Sequence, residues 1–175
     1  MSSYKQLYLW VEGDDDERFF KKVIIPKFQE KYDNIKIIKY ATMRKEKKDN
    51  FIKSIRAINA DYIYFADIND SPCITAKKDI INKQHNLIDI NNVLIVIKEI
   101  ESWYLAGLNN DSCRQLKIKF RNNTDNITKE TFNNLIPRKY TSRIDFMVEI
   151  LKRFSITEAI RKNKSFNYFI KKYNI

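Results

Sequence analysis

Carboxylates stand at the ends of three apolar runs. Glu12 follows Gln-Leu-Tyr-Leu-Trp-Val at 6–11, Asp67 and Asp70 follow residues 62–66, and Glu99 and Glu101 follow residues 93–97. If the runs are parallel strands, these side chains share the carboxyl edge of one sheet, the edge where open α/β sheets bind ligands. Converging carboxylates resist ionising together unless a cation lies between them. Oxygen donors favour Mg2+ or Mn2+, ions that keep water and pair with phosphate. Gly13, directly after Glu12, leaves room for a substrate backbone. Each feature also has a plainer reading. Asp14, Asp15 and Asp16 complement a helix N-terminus, with Asp16 also a candidate support for the acidic site. Residues 67–72, Asp-Ile-Asn-Asp-Ser-Pro, spell an ordinary turn as well.

Composition excludes other chemistries. The chain has 175 residues, with two glycines, two cysteines and one histidine. Gly13 and Gly107 cannot build a P-loop or a GxGxxG turn, each of which needs closely spaced glycines. Cys73, Cys113 and His85 cannot furnish a closed zinc site, so a metal must rest mainly on carboxylates. His85, between Gln84 and Asn86, reads as a surface residue. The longest purely apolar run, 93–97, is far below the roughly 18 residues of a membrane span. With no secretory leader pattern, the expectation is a cytoplasmic, reduced protein without a membrane partner.

The elements that must position the acidic groups follow from periodicity. Runs 6–11, 35–40, 62–66 and 93–97 read as strands. Helical spacing after Asp14 (Phe19, Phe20, Val23, Ile24, with a kink at Pro26), at Phe51, Ile52, Ile55 and Ile58, and over 76–84 places helices between them. This alternation predicts an α/β domain, a mostly parallel four-stranded sheet flanked by helices. Beyond Glu101 the pattern is helical over 102–108, 128–136 and 144–154. Ser155 opens a Ser-x-x-Glu capping box, and Ser165 is read as the cap of a last helix. We therefore expect a core over 1–110 and a basic helical C-terminal extension over 111–175.

Charge divides the same way. Residues 1–110 carry 18 basic and 16 acidic side chains, whereas 111–175 carry 15 and 6, so most of the net +11 lies in the last third. Such asymmetry points to a polyanion, DNA or RNA, as partner, although solvated helix lysines give the same count. Arg138, Lys139 and Arg143, clustered after Pro137, are the phosphate-clamp candidates. Trp103 and Tyr104 offer either base stacking or core packing.

In this order and spacing, Leu-Trp-Val-Glu-Gly-Asp-Asp-Asp at 9–16 and Asp-Ile-Asn-Asp at 67–70 resemble a TOPRIM domain. That catalytic fold is shared by topoisomerases, primases, small ribonucleases and overcoming-lysogenization-defect nucleases. Glu-Ile-Glu-Ser-Trp-Tyr-Leu-Ala at 99–106 and Asn-Lys-Ser-Phe at 163–166 resemble blocks of small stand-alone TOPRIM-like proteins. The resemblance implies a Rossmann-like sheet and metal-assisted phosphodiester hydrolysis of nucleic acid. Glu12 would be the general acid/base and Asp67 the second catalytic group. Glu12, Asp67, Asn69, Asp70, Glu99 and Glu101 would be the metal set. The family's Asp-x-Asp reads Asp-x-Asn here, a neutral oxygen in place of a charge, which Asp70, Glu99 or Glu101 would have to restore. Two other readings stand beside this one. One is a catalytically silent nucleic-acid-binding module on the same fold. The other is a receiver-type phospho-acceptor domain using Asp14, Asp15, Asp67 and Lys98. An ATPase or another protein is left open as a partner.

Overall fold

The computed structural model describes residues 4–119 and 121–175. Its chain divides into two compact units, Met1–Ile95 and Val96–Ile175. The first unit begins with β1 (Gln6–Val11), followed by α1 (Asp14–Phe19), a π-helical turn (Phe20–Ile24) and α2 (Ile25–Phe28). The widened turn has a local cause. Pro26 has no N–H for the α-helical ladder, and the preceding Ile25 N–H reaches five residues back to the Phe20 carbonyl. Next come β2 (Asn34–Lys39), α3 (Lys45–Ala57), β3 (Asp61–Asp67), α4 (Ile74–Gln84) and β4 (Val93–Val96).

The strands form one all-parallel four-stranded sheet in the order β2-β1-β3-β4. The α/β expectation is met, with each strand within one or two residues of its predicted span. Register places Leu9 beside Ile37 and Ile63, and Trp10 beside Ile38 and Tyr64. Alternation along the strands sends side chains to opposite faces. On one face Trp10, Ile38, Tyr64 and Ile95 pack with Ile52 and Ile55 of α3 and Ile81 of α4. Burial also removes Phe19, Phe20 and Phe28 from water, and the Phe20 ring meets Phe65 edge-on at 4.5 Å. Fully burying one such side chain is worth about 1.5–3 kcal/mol, so this aromatic set is a large part of what fixes the sheet.

After β4 the described residues of the second unit form helices: α5 (Ile100–Ala106), α6 (Asn110–Leu116), α7 (Lys129–Asn134), α8 (Arg143–Lys152), α9 (Ile156–Lys162) and α10 (Lys164–Tyr173). Helix α5 is buried throughout its length. Gly107 ends it and its carbonyl accepts the Ser155 N–H at 2.9 Å. Among the described residues no helix is long and apolar enough to cross a membrane.

Candidate functional site

The strand order fixes where a site can form. The chain leaves β1 for β2 on one side, and it returns to β3 and then β4 on the other. In open parallel sheets such a reversal is where a ligand crevice lies, outside the carboxyl ends of the strands on either side, and here those two ends carry Glu12 and Asp67. Glu12 is exposed and its carbonyl accepts the Ala41 N–H at 3.2 Å. This bond ties the turn after β1 to the residues after β2. Asp67 is half-buried as the last residue of β3.

Two tyrosines and a lysine share this edge. Tyr40 follows β2, donates its hydroxyl proton to the Phe65 carbonyl at 2.7 Å and stacks on Tyr64 at 4.5 Å. Burial is the main force pushing the Tyr40 phenol well above the usual tyrosine range. The charges of Glu12 and Asp67 add to it, which sets both carboxylates within electrostatic reach of one hydroxyl. Tyr64 is pushed up to about 12, chiefly by burial, with Glu12 contributing. Lys48 of α3 lays its ammonium 4.9 Å from the Tyr40 ring centroid. Its pKa is held below the ordinary lysine value by burial, while Glu12 pulls it back up.

The acidic run after Gly13 serves the helix. Asp16, only 8% exposed, accepts the Gly13 N–H at 3.1 Å and so ties the third residue of α1 back to its N-cap. Asp14 pairs with Lys39 at 2.6 Å, Asp15 with Arg18 at 2.6 Å, and Glu17 with Lys21 and Lys39. A methyl group at Gly13 would meet nothing within 4 Å. Asn69 takes left-handed backbone at φ 49° in the loop after β3, a conformation Asn tolerates better than most residues. Asp70 beside it is exposed.

Glu99 and Glu101 lie in the second unit, each with a partner there. Glu99 accepts the Lys129 N–H. Glu101, 3% exposed, is ion-paired with Arg143, whose guanidinium also lies over the Phe132 ring at 5.6 Å. Arg143 is therefore held by a buried carboxylate, while Arg138 and Lys139 are exposed. The Lys139 ammonium donates to the Gln115 carbonyl at 2.9 Å. Lys98 takes left-handed backbone between β4 and α5.

Trp103 and Tyr104 are core, both wholly buried. Trp103 stacks on Phe169 and donates to the Ser165 hydroxyl at 2.8 Å. Ser165 is not the cap of α10. Asn163 holds that place, accepting the Phe166 N–H at 3.0 Å. His85 is half-buried rather than on the surface, and burial together with Lys48 holds its pKa low.

Tyr40, Tyr64 and Lys48 escape a search for acidic motifs. The available signal was positional, an aromatic directly after β2 and another in β3 on the same face as Trp10. Two surface hollows of the first unit do not include Glu12 or Asp67. One, about 310 Å3, lies against Tyr8, Phe51 and Ile58, and the other, about 710 Å3, is lined by Tyr4, Lys5 and Asp61 where the strands begin.

Among the described residues, no three Asp, Glu, His or Cys side chains gather closely enough to hold a metal ion. The crevice offers two carboxylates on neighbouring strand ends. That set fits Mg2+ bound jointly by one or two carboxylates, water and substrate phosphate, and does not fit an all-protein cage. The chain matches no protein-family model, no curated protein and no solved structure.

Proposed function

We propose that the crevice between the ends of β1 and β3 is the active site of a TOPRIM-like, Mg2+- or Mn2+-dependent enzyme hydrolysing phosphodiester bonds in DNA or RNA. The observation that carries this reading is the placement of Glu12 and Asp67 at the point where the strand order reverses. Glu12, exposed at the rim, would move a proton to or from the reacting oxygen. Asp67, with Glu12, would hold the ion, which when bound offsets charge on the phosphoryl oxygens. Open space at Gly13 would admit the polymer backbone beside Glu12. Two unpaired cysteines, exposed Cys73 and buried Cys113, suit a reducing compartment such as the cytoplasm.

The test is cleavage of labelled DNA and RNA with Mn2+. Glu12→Gln and Asp67→Asn should each abolish it, and cleavage surviving in both variants would overturn the assignment. A silent nucleic-acid-binding module is the second reading. It is favoured by the lack of a three-carboxylate cluster among the described residues and by the amide at Asn69. Salt-sensitive binding without cleavage by the unaltered chain would decide for it.

A further inference from the structure

The crevice has a cationic side as well as an acidic one, and it comes from the first unit, not from the basic last third. Arg44, Lys45, Lys47 and Lys48 lie at the start of α3, which follows β2 and so begins at the carboxyl edge of the sheet. Lys48 differs from its neighbours. Arg44, Lys45 and Lys47 are exposed, whereas Lys48 is half-buried, with its ammonium over the Tyr40 ring at 4.9 Å. Tyr40 is itself fixed three times: its N–H donates to the Val11 carbonyl at 3.0 Å, its hydroxyl donates to Phe65, and its ring stacks on Tyr64. The lysine therefore rests on a rigid support beside the residue that precedes Glu12. Among the described residues no carboxylate lies within ion-pair distance of Lys48. Glu12 is the charged group that acts on it, and the Lys48 charge in turn helps hold down the pKa of His85, the residue after α4.

We propose that Lys48 is a phosphate-binding residue of the Glu12–Asp67 crevice, positioned by the Tyr40 ring to contact the substrate backbone. The proposal deepens the functional reading above and rests on it for the choice of ligand. A partly desolvated ammonium whose donors are not spent on an ion pair gains more from a phosphate than an exposed lysine does, because water screens it less. It also offsets the repulsion that Glu12 and Asp67 exert on an approaching phosphodiester. Removing it leaves two negative charges facing the polymer.

The probe is a fluorescein-labelled single-stranded oligodeoxynucleotide, bound to the full chain in EDTA and read by anisotropy across a salt series. Lys48→Met should weaken binding about tenfold at low salt, as expected for loss of one charge-assisted contact. It should also make the salt slope shallower by about 0.7. Lys48→Arg should restore most of both. Tyr40→Leu, which removes the ring and keeps the lysine, should fall between them, with circular dichroism checking that it is folded. Lys31→Met, in the loop before β2, is the control and should leave binding near that of the unaltered chain. If Lys48→Met matches Lys31→Met in affinity and slope, the proposal is overturned. No metal or cleavage enters this readout, so it separates the two claims. Loss of hydrolysis as a function leaves a Lys48 binding defect standing, and intact hydrolysis with an unaffected Lys48→Met removes Lys48 alone.

Discussion

At Gly13 the backbone is extended (φ −149°) and a methyl group would meet open space, so nothing inside the protein requires glycine there. Gly13→Ala should change thermal stability by less than about 1 kcal/mol, since the narrower unfolded ensemble is offset by the poorer fit of alanine at the N-cap of α1. If the polymer backbone passes this point, the same change should slow cleavage at least about tenfold, the cost of a small displacement of the reacting groups. Stability measured alongside rate separates the two effects, and an unchanged rate would take Gly13 out of the site. Tyr32 offers a pH test. Its hydroxyl donates to Asp61 at 2.9 Å, and burial followed by that bond pushes its pKa up to about 12. The folded value is raised, so the contribution is fully present below pH 10 and is lost as pH climbs through about 12. Tyr32→Phe should therefore be less stable than the unaltered chain at neutral pH. Urea titrations should show that gap closing between pH 10 and 12, and a gap constant across that range would contradict the assignment. Residue-scale reading of the sequence found Glu12 and Asp67 because each directly ends an apolar run. It passed over Lys48, since a lysine in Lys-Glu-Lys-Lys looks solvated until a ring from another strand is placed beneath it.

Elements were legible where their signals are local. Thr128 and Ser155 cap α7 and α9 by accepting N–H groups three residues on, at 3.2 and 3.3 Å, a geometry written into the sequence spacing. At the start of α10 the cap is Asn163 and not Ser165, because Ser165 is committed to tertiary bonds. The Ser165 hydroxyl accepts from Trp103 and from the Ile97 N–H at 3.2 Å and donates to Asn163 at 2.8 Å. Those partners are more than sixty residues away for two of the three bonds, so no local pattern could announce them. Ser165→Ala leaves the buried Trp103 donor unsatisfied, at about 1–3 kcal/mol, and the half-buried Ile97 N–H without its partner, and should lower the denaturation midpoint accordingly. Loss of only a few tenths of a kcal/mol would mean the network is not needed. Helix α6 went unread because its first turn, Asn-Asp-Ser, has no apolar periodicity and only Cys113 and Leu116 are buried. Gly107 ends α5, yet its necessity is steric. A Cβ there would lie 2.2 Å from the Phe154 ring. Gly107→Ala should cost about 1–3 kcal/mol as the ring is displaced, and Phe154→Ala in the same chain should remove the overlap and make the glycine replaceable.

If the chain holds a polyanion as proposed, the basic groups in contact with it must be found at the scale of the whole molecule, because net charge sets long-range attraction and not the place of contact. The charge count favoured the last third, yet the structure spends part of that charge internally. Arg143 is paired with buried Glu101, and Lys162, 3% exposed, donates to the Leu108 carbonyl. Arg138 and Lys139 remain exposed beside one another. For single strands each neutralised phosphate contributes about 0.7 to the salt slope, so Arg138→Gln combined with Lys139→Gln should flatten it by about 1.4 if both contact phosphate. Lys139 already donates to Gln115, and a flattening of about half that size would mean Arg138 acts alone. The Lys48 series measured on the same oligodeoxynucleotide gives the share of the first unit. Should the Arg138/Lys139 pair leave the slope unchanged while Lys48→Met lowers it, the polyanion is held at the sheet edge and the basic last third acts only by attraction at a distance. The reverse outcome would assign contact to the helical unit and leave the crevice without a hold on its substrate.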